Sequence, residues 1–199
     1  MINPQELLNA YANGIFPMAD SRDDEEAKWY TSSRRGIIPL DDFHVSSNVQ
    51  RIVRNHHYHI KFDYNFQQIM EACADRDSTW ISREIIESYC RLHKLGHAHS
   101  VSVYNNKWQL VGGQYGVSLG AAFFGESLFG WAKEASKVAL YWTHQALQQG
   151  GFELWDTQFW TEHLAQFGCI EILAEEYQER LKSALEEEAY FEAVETTTD

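Results

Sequence analysis

A chain of 199 residues can bury about 70% of the surface that it exposes when unfolded, so we expect one domain with a full hydrophobic core. Its three cysteines lack the spacing of a disulfide scaffold or a zinc finger, and no stretch is apolar enough to span a membrane. The net charge of −13 disfavours non-specific binding of nucleic acid, and together these features predict a reduced, cytoplasmic protein that is neither exported nor membrane-bound.

Charge is unevenly distributed along the chain. Residues 28–107 contain 11 Lys or Arg against 8 Asp or Glu, whereas residues 171–199 contain two basic against ten acidic side chains. Because Lys and Arg neutralise phosphates, only the first segment is predicted to contact nucleic acid. The cations expected to lie together on the helices of this segment are Arg51, Arg54, Arg83, Arg91 and Lys94.

The first part of the chain, residues 1–60, is predicted to form a small N-terminal α/β subdomain. Asn3 and Pro4, followed by apolar residues at helical spacing and then Gly14, indicate a short helix. The other elements predicted here are strands at 28–30 and 36–40, after an acidic loop, and a helix that begins at Ser46 or Ser47.

Residues 61–185 are predicted to form the larger domain, and residues 186–199 an acidic tail with a frayed end. Ser82 begins a strong helix that Gly96 ends, and Asn105 begins a hairpin turn. The remaining predicted elements are strands at 57–63, 98–104, 108–116, 119–127, 152–157 and 169–173, and helices at 65–76, 135–149, 161–167 and near the C-terminus. Strands in hairpins followed by helix, strand and helix predict an α+β fold.

Within residues 110–131, six glycines interrupt a run of β-branched, aromatic and small residues. Glycine weakens a strand unless a ligand or another backbone must approach closely, so these strands are predicted to form the wall of a binding cleft. The same pattern is found at barrel corners and bulges. Glu126 is the only acid in this run, and a lone buried carboxylate needs a partner or a substrate cation.

A second polar pair follows the predicted helix at 135–149. Asp156 and Gln158 are two residues apart, so in a strand both side chains project onto the same face. This spacing can place a proton acceptor beside a fixed amide, and it can equally provide a cap for the following helix.

Several motifs occur in a fixed order from about Leu8 to Gly168. They are TWIS at 79–82, LHKLGHAHS at 92–100, GGxYGV at 112–117, FFGESLF at 123–129, ASK at 135–137 and the Asp-x-Gln strand end. In this order they resemble the leucyl/phenylalanyl-tRNA–protein transferase family. The resemblance implies an N-acetyltransferase-like fold for the larger domain. Members of the family are expected to begin with a further segment that carries a Gly-Gly-Asp-Leu motif, whereas this chain starts after it.

The resemblance also implies an activity and catalytic residues. Family members move leucine or phenylalanine from its tRNA ester to the α-amine of a protein that begins with Arg or Lys, which makes that protein an N-degron substrate for degradation. The donor is already activated, so no cofactor and no metal is expected. By resemblance, Asp156 accepts or orients the proton of the amine, Gln158 belongs to its hydrogen-bond network, and Glu126 lies at the cationic end of the acceptor.

Donor-binding residues are implied in the same way. The positions of an apolar pocket for the donor side chain fall on Met18, Gln114, Phe123, Thr143 and Leu147. Four of these five differ from the residues expected in the family, so the pocket is predicted to be more polar and wider, and the preference among Leu, Phe and Met is open. The aromatic platforms implied for the terminal adenosine are Trp80 and Tyr89. From the sequence alone, either aromatic residue can equally be part of the core.

Other functions fit parts of the sequence. His97 and His99 have no third ligand near them in the sequence, so a metal site is not expected. A CoA-dependent N-acetyltransferase would have the same fold, but residues 125–136 lack the spacing and the basic residue that hold a pyrophosphate. A non-catalytic adaptor for basic N-termini would need Glu126 but not Asp156. We therefore expect an enzyme, and a monomeric one.

Overall fold

In the computed structural model, which describes residues 1–24 and 26–196, seven strands form one mixed sheet with helices on both faces. The helices are α1 (Pro4–Ala12), α2 (Ser47–Arg54), α3 (Phe66–Ala74), α4 (Arg83–Lys94), α5 (Ala135–Gln149), α6 (Glu162–Ala165) and α7 (Ala174–Glu186). The strands are β1 (Phe16–Met18), β2 (Lys28–Tyr30), β3 (Arg34–Ile37), β4 (His59–Phe62), β5 (Ala98–Tyr104), β6 (Leu110–Leu119), β7 (Ala122–Gly130), β8 (Leu154–Gln158) and β9 (Ile170–Leu173). The predicted α+β fold is confirmed. No helix in the described ranges is both long and apolar enough to cross a membrane.

The main sheet has the strand order β4-β5-β6-β7-β8-β3-β9, while β1 and β2 pair with each other separately. Among the described strands, β7 and β8 run parallel and the other neighbours run antiparallel. The β7–β8 pairing stops at Phe124 and Asp156, so the two strands diverge beyond these residues. This divergence opens a gap in the sheet, and Glu126 and Gln158 lie on its two edges.

Adjacent residues of β7 face opposite sides of the sheet. Phe124 belongs to the core between the sheet and helices α1, α3, α4 and α7, whereas Phe123 belongs to the core beneath α5. Because side chains alternate along a strand, the continuous apolar run in this part of the sequence corresponds to a strand that is buried on both faces. Helix α2 packs on the same side as α5.

Some boundaries differ from the predicted ones. The sequence predicts that a strand ends at Gly116, but Gly116 lies inside β6, next to a register shift opposite β7. The hairpin turns instead at Gly120, where φ is +55° and a side chain would be strained. The strand predicted at 36–40 ends at Ile37, and the chain then enters a short 3₁₀ helix at Leu40–Asp42.

Strand β3 connects the N-terminal part of the chain with the main sheet. It lies between β8 and β9 and pairs with both. Residues from the predicted 1–60 subdomain therefore contribute directly to the larger sheet. The division of the chain at residue 60 stays a prediction.

The residues of the predicted acidic tail that the structure describes pack against the protein, and its last residues, 197–199, lie outside the described part of the chain. We call residues 187–196 the C-terminal strap. Its contacts include the amide of Tyr190 with the carbonyl oxygen of Gly150 (3.0 Å) and the ring of Phe191 with the rings of His99 and Phe123 (centroids 4.7 and 5.5 Å apart). An aromatic anchor thus holds a segment that contains four glutamates.

Candidate active site

The gap between β7 and β8 holds a cavity of about 250 Å³. Glu126 on β7 and Gln158 at the end of β8 lie on its wall. The side-chain nitrogen Nε2 of Gln158 donates to Glu126 Oε1 (3.2 Å). Met18 at the end of β1 and Trp80, shortly before α4, lie on the same wall. The structure thus brings together four residues that the sequence analysis assigned to one site.

A larger cavity of about 500 Å³ lies between α2 and α5, and its described lining contains none of the predicted site residues. We place the candidate site in the smaller cavity, because a functional site is marked by polar groups that converge on a concave surface and by perturbed pKa values.

Glu126 is held by hydrogen bonds from two different parts of the chain. The Tyr11 hydroxyl of α1 donates to Glu126 Oε1 (2.6 Å), in addition to the bond from Gln158. Burial, assisted by the nearby Asp156 carboxylate, raises the pKa of Glu126 to about 8, although the Tyr11 hydrogen bond and Arg35 act in the opposite direction. Around neutral pH the carboxyl group is therefore mainly protonated until a cation approaches it.

Asp156 is fully buried and does not lie on the cavity wall. The Arg35 guanidinium donates to both carboxylate oxygens, with Nε at 2.9 and 3.1 Å and Nη2 at 2.6 Å, and the Tyr177 hydroxyl donates to Oδ2 at 2.7 Å. Burial lowers the pKa of Arg35, but the Asp156 carboxylate more than compensates, so the pKa is raised overall. Both carboxylate oxygens of Asp156 therefore accept hydrogen bonds from within the protein.

Gln158 has an unusual backbone conformation and is hydrogen-bonded to Asp156. Its backbone adopts a φ of +59°, a left-handed conformation that is uncommon for residues other than glycine. The backbone N–H of Gln158 donates to Asp156 Oδ1 (2.7 Å), and this hydrogen bond stabilises the conformation. The turn directs the Gln158 side chain towards Glu126. Gln158 is therefore linked to Asp156 through its backbone and to Glu126 through its side chain, and the same-face arrangement predicted from the spacing stays a prediction.

The predicted adenosine platforms differ in position. Trp80 is partly exposed at the cavity. Tyr89 is fully buried in the core beneath α4, and its hydroxyl is hydrogen-bonded to that of Tyr11. Tyr89 therefore supports Glu126 through Tyr11, and it does not present a free ring face.

The residues predicted for the donor pocket are divided between the cavity and the layer behind it. Gln114 and Thr143 are buried, and the Thr143 hydroxyl donates to Gln114 Oε1 (3.1 Å). Phe123 and Leu147 are in the core beneath α5. Leu128 packs against this core and also lines the cavity, whereas the described lining of the cavity includes none of these four residues.

Arg35, Tyr11 and Tyr177 were not identified by sequence reasoning. One signal could have led to Arg35: a buried carboxylate requires a cationic partner, and Arg35 directly precedes a predicted apolar strand. The two tyrosines lie on amphipathic helices, where a buried ring is an ordinary core residue. Nothing in their spacing distinguishes a hydroxyl that bonds a carboxylate from one that does not.

The histidine pair considered as a metal site has a different arrangement. His99 Nδ1 is hydrogen-bonded to Asp63 Oδ2 (2.8 Å), and its Nε2 to the Ser118 hydroxyl (3.1 Å). Across residues 1–24 and 26–196, no group of three His, Cys, Asp or Glu side chains is arranged to hold a metal ion.

The fold resembles that of FemX. The crystal structure of FemX superposes with a TM-score of 0.54 at 12% sequence identity, over 83% of this chain and 65% of FemX. This chain therefore spans slightly less than two thirds of FemX, and at such low identity the similarity concerns the fold alone. A shared fold does not by itself define an activity, so the class of protein has to come from comparison of the sequences.

Comparisons of the sequence with known proteins identify the family of this chain. The model of the leucyl/phenylalanyl-tRNA protein transferase family matches residues 37–182, and the model of its N-terminal domain matches residues 1–33. A leucyl/phenylalanyl-tRNA–protein transferase from Cereibacter sphaeroides is 52% identical over 190 residues, covering 96% of this chain and 88% of the relative. One from Zymomonas mobilis is 48% identical over 200 residues, covering 98% and 74%. The chain belongs to the leucyl/phenylalanyl-tRNA–protein transferase family, a family of aminoacyltransferases, and the resemblance seen in its motifs is confirmed.

Proposed function

We propose that this aminoacyltransferase moves leucine or phenylalanine, and also methionine, from aminoacyl-tRNA to the α-amine of proteins that begin with Arg or Lys. The observation that carries the proposal is the hydrogen-bonded pair of Glu126 and Gln158 at the gap in the sheet, in a chain of this family. A carboxyl group beside a fixed amide suits an acceptor with a cationic side chain and a nucleophilic amine.

The reaction needs no further reactant. The amine nitrogen attacks the carbonyl carbon of the donor ester, so a C–N bond forms and the bond between that carbon and the ribose oxygen breaks. The proton lost by the amine passes to the ribose oxygen. Alignment of two bound substrates is the main requirement, because the ester is already activated.

The acceptor is proposed to bind with its cationic side chain at Glu126. A cation at this position lowers the pKa of the carboxyl group, so binding of the acceptor and ionisation of Glu126 are coupled. The Gln158 amide nitrogen donates to Glu126, which leaves the amide oxygen to accept from the attacking amine. Asp156 is proposed to act as a positioning residue through the backbone of Gln158.

The donor is proposed to enter from the opposite side of the cavity. Its terminal base stacks on Trp80, and its side chain lies against Met18 and Leu128. The polar pair of Gln114 and Thr143, together with Phe123 and Leu147, forms the layer behind Leu128 and sets the size and polarity of the pocket.

The decisive experiment is transfer of a labelled amino acid from charged tRNA to a peptide that begins with Arg, without ATP or CoA. We expect label in the peptide, and ribonuclease treatment of the tRNA beforehand should abolish it. Transfer that survives ribonuclease, or a peptide that binds but is never labelled in a single-turnover assay, would overturn the proposal. The second result would indicate an adaptor for basic N-termini.

We further propose that the enzyme acts in the cytoplasm as a monomer and that its products are N-degron substrates. The cytoplasmic location follows from the proposed donor, since aminoacyl-tRNA is made in the cytoplasm. Light scattering at assay concentration tests the monomer, since a dimer would double the measured mass.

A further inference from the structure

Arg76 lies on the cavity wall but has no role in the chemistry assigned above. It follows α3, in the segment that leads to Trp80, and its side chain is exposed. Within the described part of the chain, it is the only Lys or Arg among the residues that line this cavity.

Neutral groups hold the guanidinium in place. Nε donates to the carbonyl oxygen of Cys73 (2.8 Å), and Nη2 donates to the Ser127 hydroxyl (2.9 Å). Ser127 is the residue next to Glu126 on β7, so this bond ties the Arg76 side chain to the strand that carries the candidate site.

No side chain in the described part of the chain neutralises the charge of Arg76. Among the described residues, no ion pair involves Arg76, and the flanking Asp75 and Asp77 are exposed without pairing with it. A guanidinium fixed on one edge by neutral acceptors keeps its other edge available for an anion. Its planar fork matches the oxygens of a phosphate group.

We propose that Arg76 binds the phosphate that links the terminal nucleotide of the donor RNA to the preceding one. The inference rests on the proposed function, which places the terminal adenosine on Trp80 and the ester at Glu126 and Gln158. One sugar separates that ester from the first phosphate of the chain, so a cation on the same wall lies where this phosphate must pass. Arg76 is thereby a positioning residue that fixes the register of the single-stranded RNA end.

The test compares two donors that differ in this phosphate. One is the full aminoacyl-tRNA, and the other is the same amino acid esterified to adenosine without a phosphate. Kinetics are measured for the wild type, for Arg76→Ala and Arg76→Lys, and for Arg180→Ala. The last is the control, because it removes one positive charge from an exposed, ion-paired residue on α7.

With aminoacyl-tRNA, we expect Arg76→Ala to raise KM by about tenfold to a hundredfold, the range for loss of a hydrogen-bonded charge. The plot of log KM against log salt should also become shallower by about 0.7, the slope of one phosphate contact on a single strand. Arg76→Lys should regain most of the salt dependence but only part of the affinity, since it lacks the fork. With aminoacyl-adenosine, all variants should match the wild type, and thermal melting of each variant verifies folding.

Two outcomes would overturn this inference alone while wild-type transfer continues. Equal KM and equal salt dependence for Arg76→Ala and the wild type would mean that no phosphate is bound there. A slower reaction of Arg76→Ala with aminoacyl-adenosine would place Arg76 at the ester itself. If the wild type fails to use aminoacyl-tRNA at all, the proposed function fails, and this inference with it.

Discussion

The carboxyl group of Glu126 lies among tyrosine rings, and its burial raises the pKa from 4.5 to about 8. A raised pKa means that the folded protein holds this proton more tightly than the unfolded chain does. The stability that this contributes is complete below the unfolded pKa and is lost as the pH rises through the folded value.

We therefore expect the wild type to lose stability relative to Glu126→Gln as the pH rises from about 5 to 9. Denaturant titration across this range measures the difference between the two proteins. Glu179→Gln, at an exposed position on α7, is the control that should follow the wild type. Parallel curves for the wild type and Glu126→Gln would show that the carboxyl group ionises normally.

The buried pair of Arg35 and Asp156 makes a second prediction at the scale of single residues. Arg35→Met leaves an uncompensated buried carboxylate, so we expect a loss of about 3–5 kcal/mol in the free energy of unfolding. The double variant Arg35→Met, Asp156→Leu should regain much of that stability, because an apolar pair can replace a buried ion pair.

In this series of variants, the rate of aminoacyl transfer should not follow the free energy of unfolding. The double variant should remain at least about tenfold slower than the wild type, since Gln158 loses the acceptor that holds its backbone. Gln158→Ala should be slow while its unfolding free energy stays close to that of the wild type. Full activity of a stable double variant would rule out a positioning role for Asp156.

We propose that donor choice depends on the hydrogen-bonded polar pair of Gln114 and Thr143. A partly polar pocket discriminates weakly among apolar side chains, and one methylene is worth only about 1–3 kcal/mol even in a fully apolar pocket. We expect leucyl-, phenylalanyl- and methionyl-tRNA to compete within about a hundredfold of each other. Competition between labelled donors measures this ratio, and a preference of a thousandfold or more for one donor would contradict it.

At the scale of elements, the helices were the easiest to predict. Side-chain caps define the start of α4 at Ser82 and of α2 at Ser46, and both signals are local in sequence. The strands were harder, because a glycine can mark a turn, as Gly120 does, or a bulge inside a strand, as Gly116 does. Only the pairing partner distinguishes the two cases, and it is distant in sequence.

The C-terminal strap is an element that composition hides, and its aromatic anchor leads to a further prediction. Phe191→Ala removes a ring that is stacked on His99 and Phe123. We expect the free energy of unfolding to fall by at most about 3 kcal/mol, because larger losses are typical of a fully buried Phe. This corresponds to a decrease in melting temperature of about 2–4 °C for each kcal/mol.

The matched control is Tyr190→Ala, whose side chain is 63% exposed. A second probe is Gly150→Ala, since a methyl group at Gly150 would overlap the carbonyl oxygen of Tyr190 although its φ of −78° is ordinary. If Phe191→Ala melts like the wild type, the strap does not contribute to stability.

At the scale of the whole molecule, the basic residues predicted to act together are separated by the sheet. Arg51 and Arg54 lie on α2, on the α5 side, whereas Arg83, Arg91 and Lys94 lie on α4, on the opposite side. Charge counted along a chain gives no information about position in space, so the sequence could not reveal this division.

Only one of these faces can meet a single RNA near the cavity. Trp80 and Arg76 precede α4, so we expect Arg83→Ala to weaken aminoacyl-tRNA binding and to flatten its salt dependence by up to about 0.9 per lost contact. Arg54→Ala should leave both quantities unchanged, and it serves as the control for loss of one exposed charge. Binding isotherms at several salt concentrations measure both. A larger effect at Arg54 would place the RNA on the α5 face.

The sequence could predict only part of the site for a similar reason. The resemblance of its motifs pointed to Glu126 and Gln158, and the structure places both on one cavity. Their supports, Tyr11 and Arg35, are more than a hundred residues away in the chain, with sequence separations of 115 from Glu126 and 121 from Asp156. Such contacts depend on the complete topology, and no local pattern encodes them.

The same separations have a consequence for the synthesis of this protein. The groups that hold the site come from three distant parts of the chain. They are Tyr11 on α1, Arg35 on β3 and Tyr177 on α7. A chain still attached to the ribosome cannot close this arrangement until nearly all of it has emerged, and domains fold as units during translation. The cleft therefore cannot be completed before α7 has emerged, and a product of interrupted translation that lacks α7 has Asp156 without its tyrosine partner.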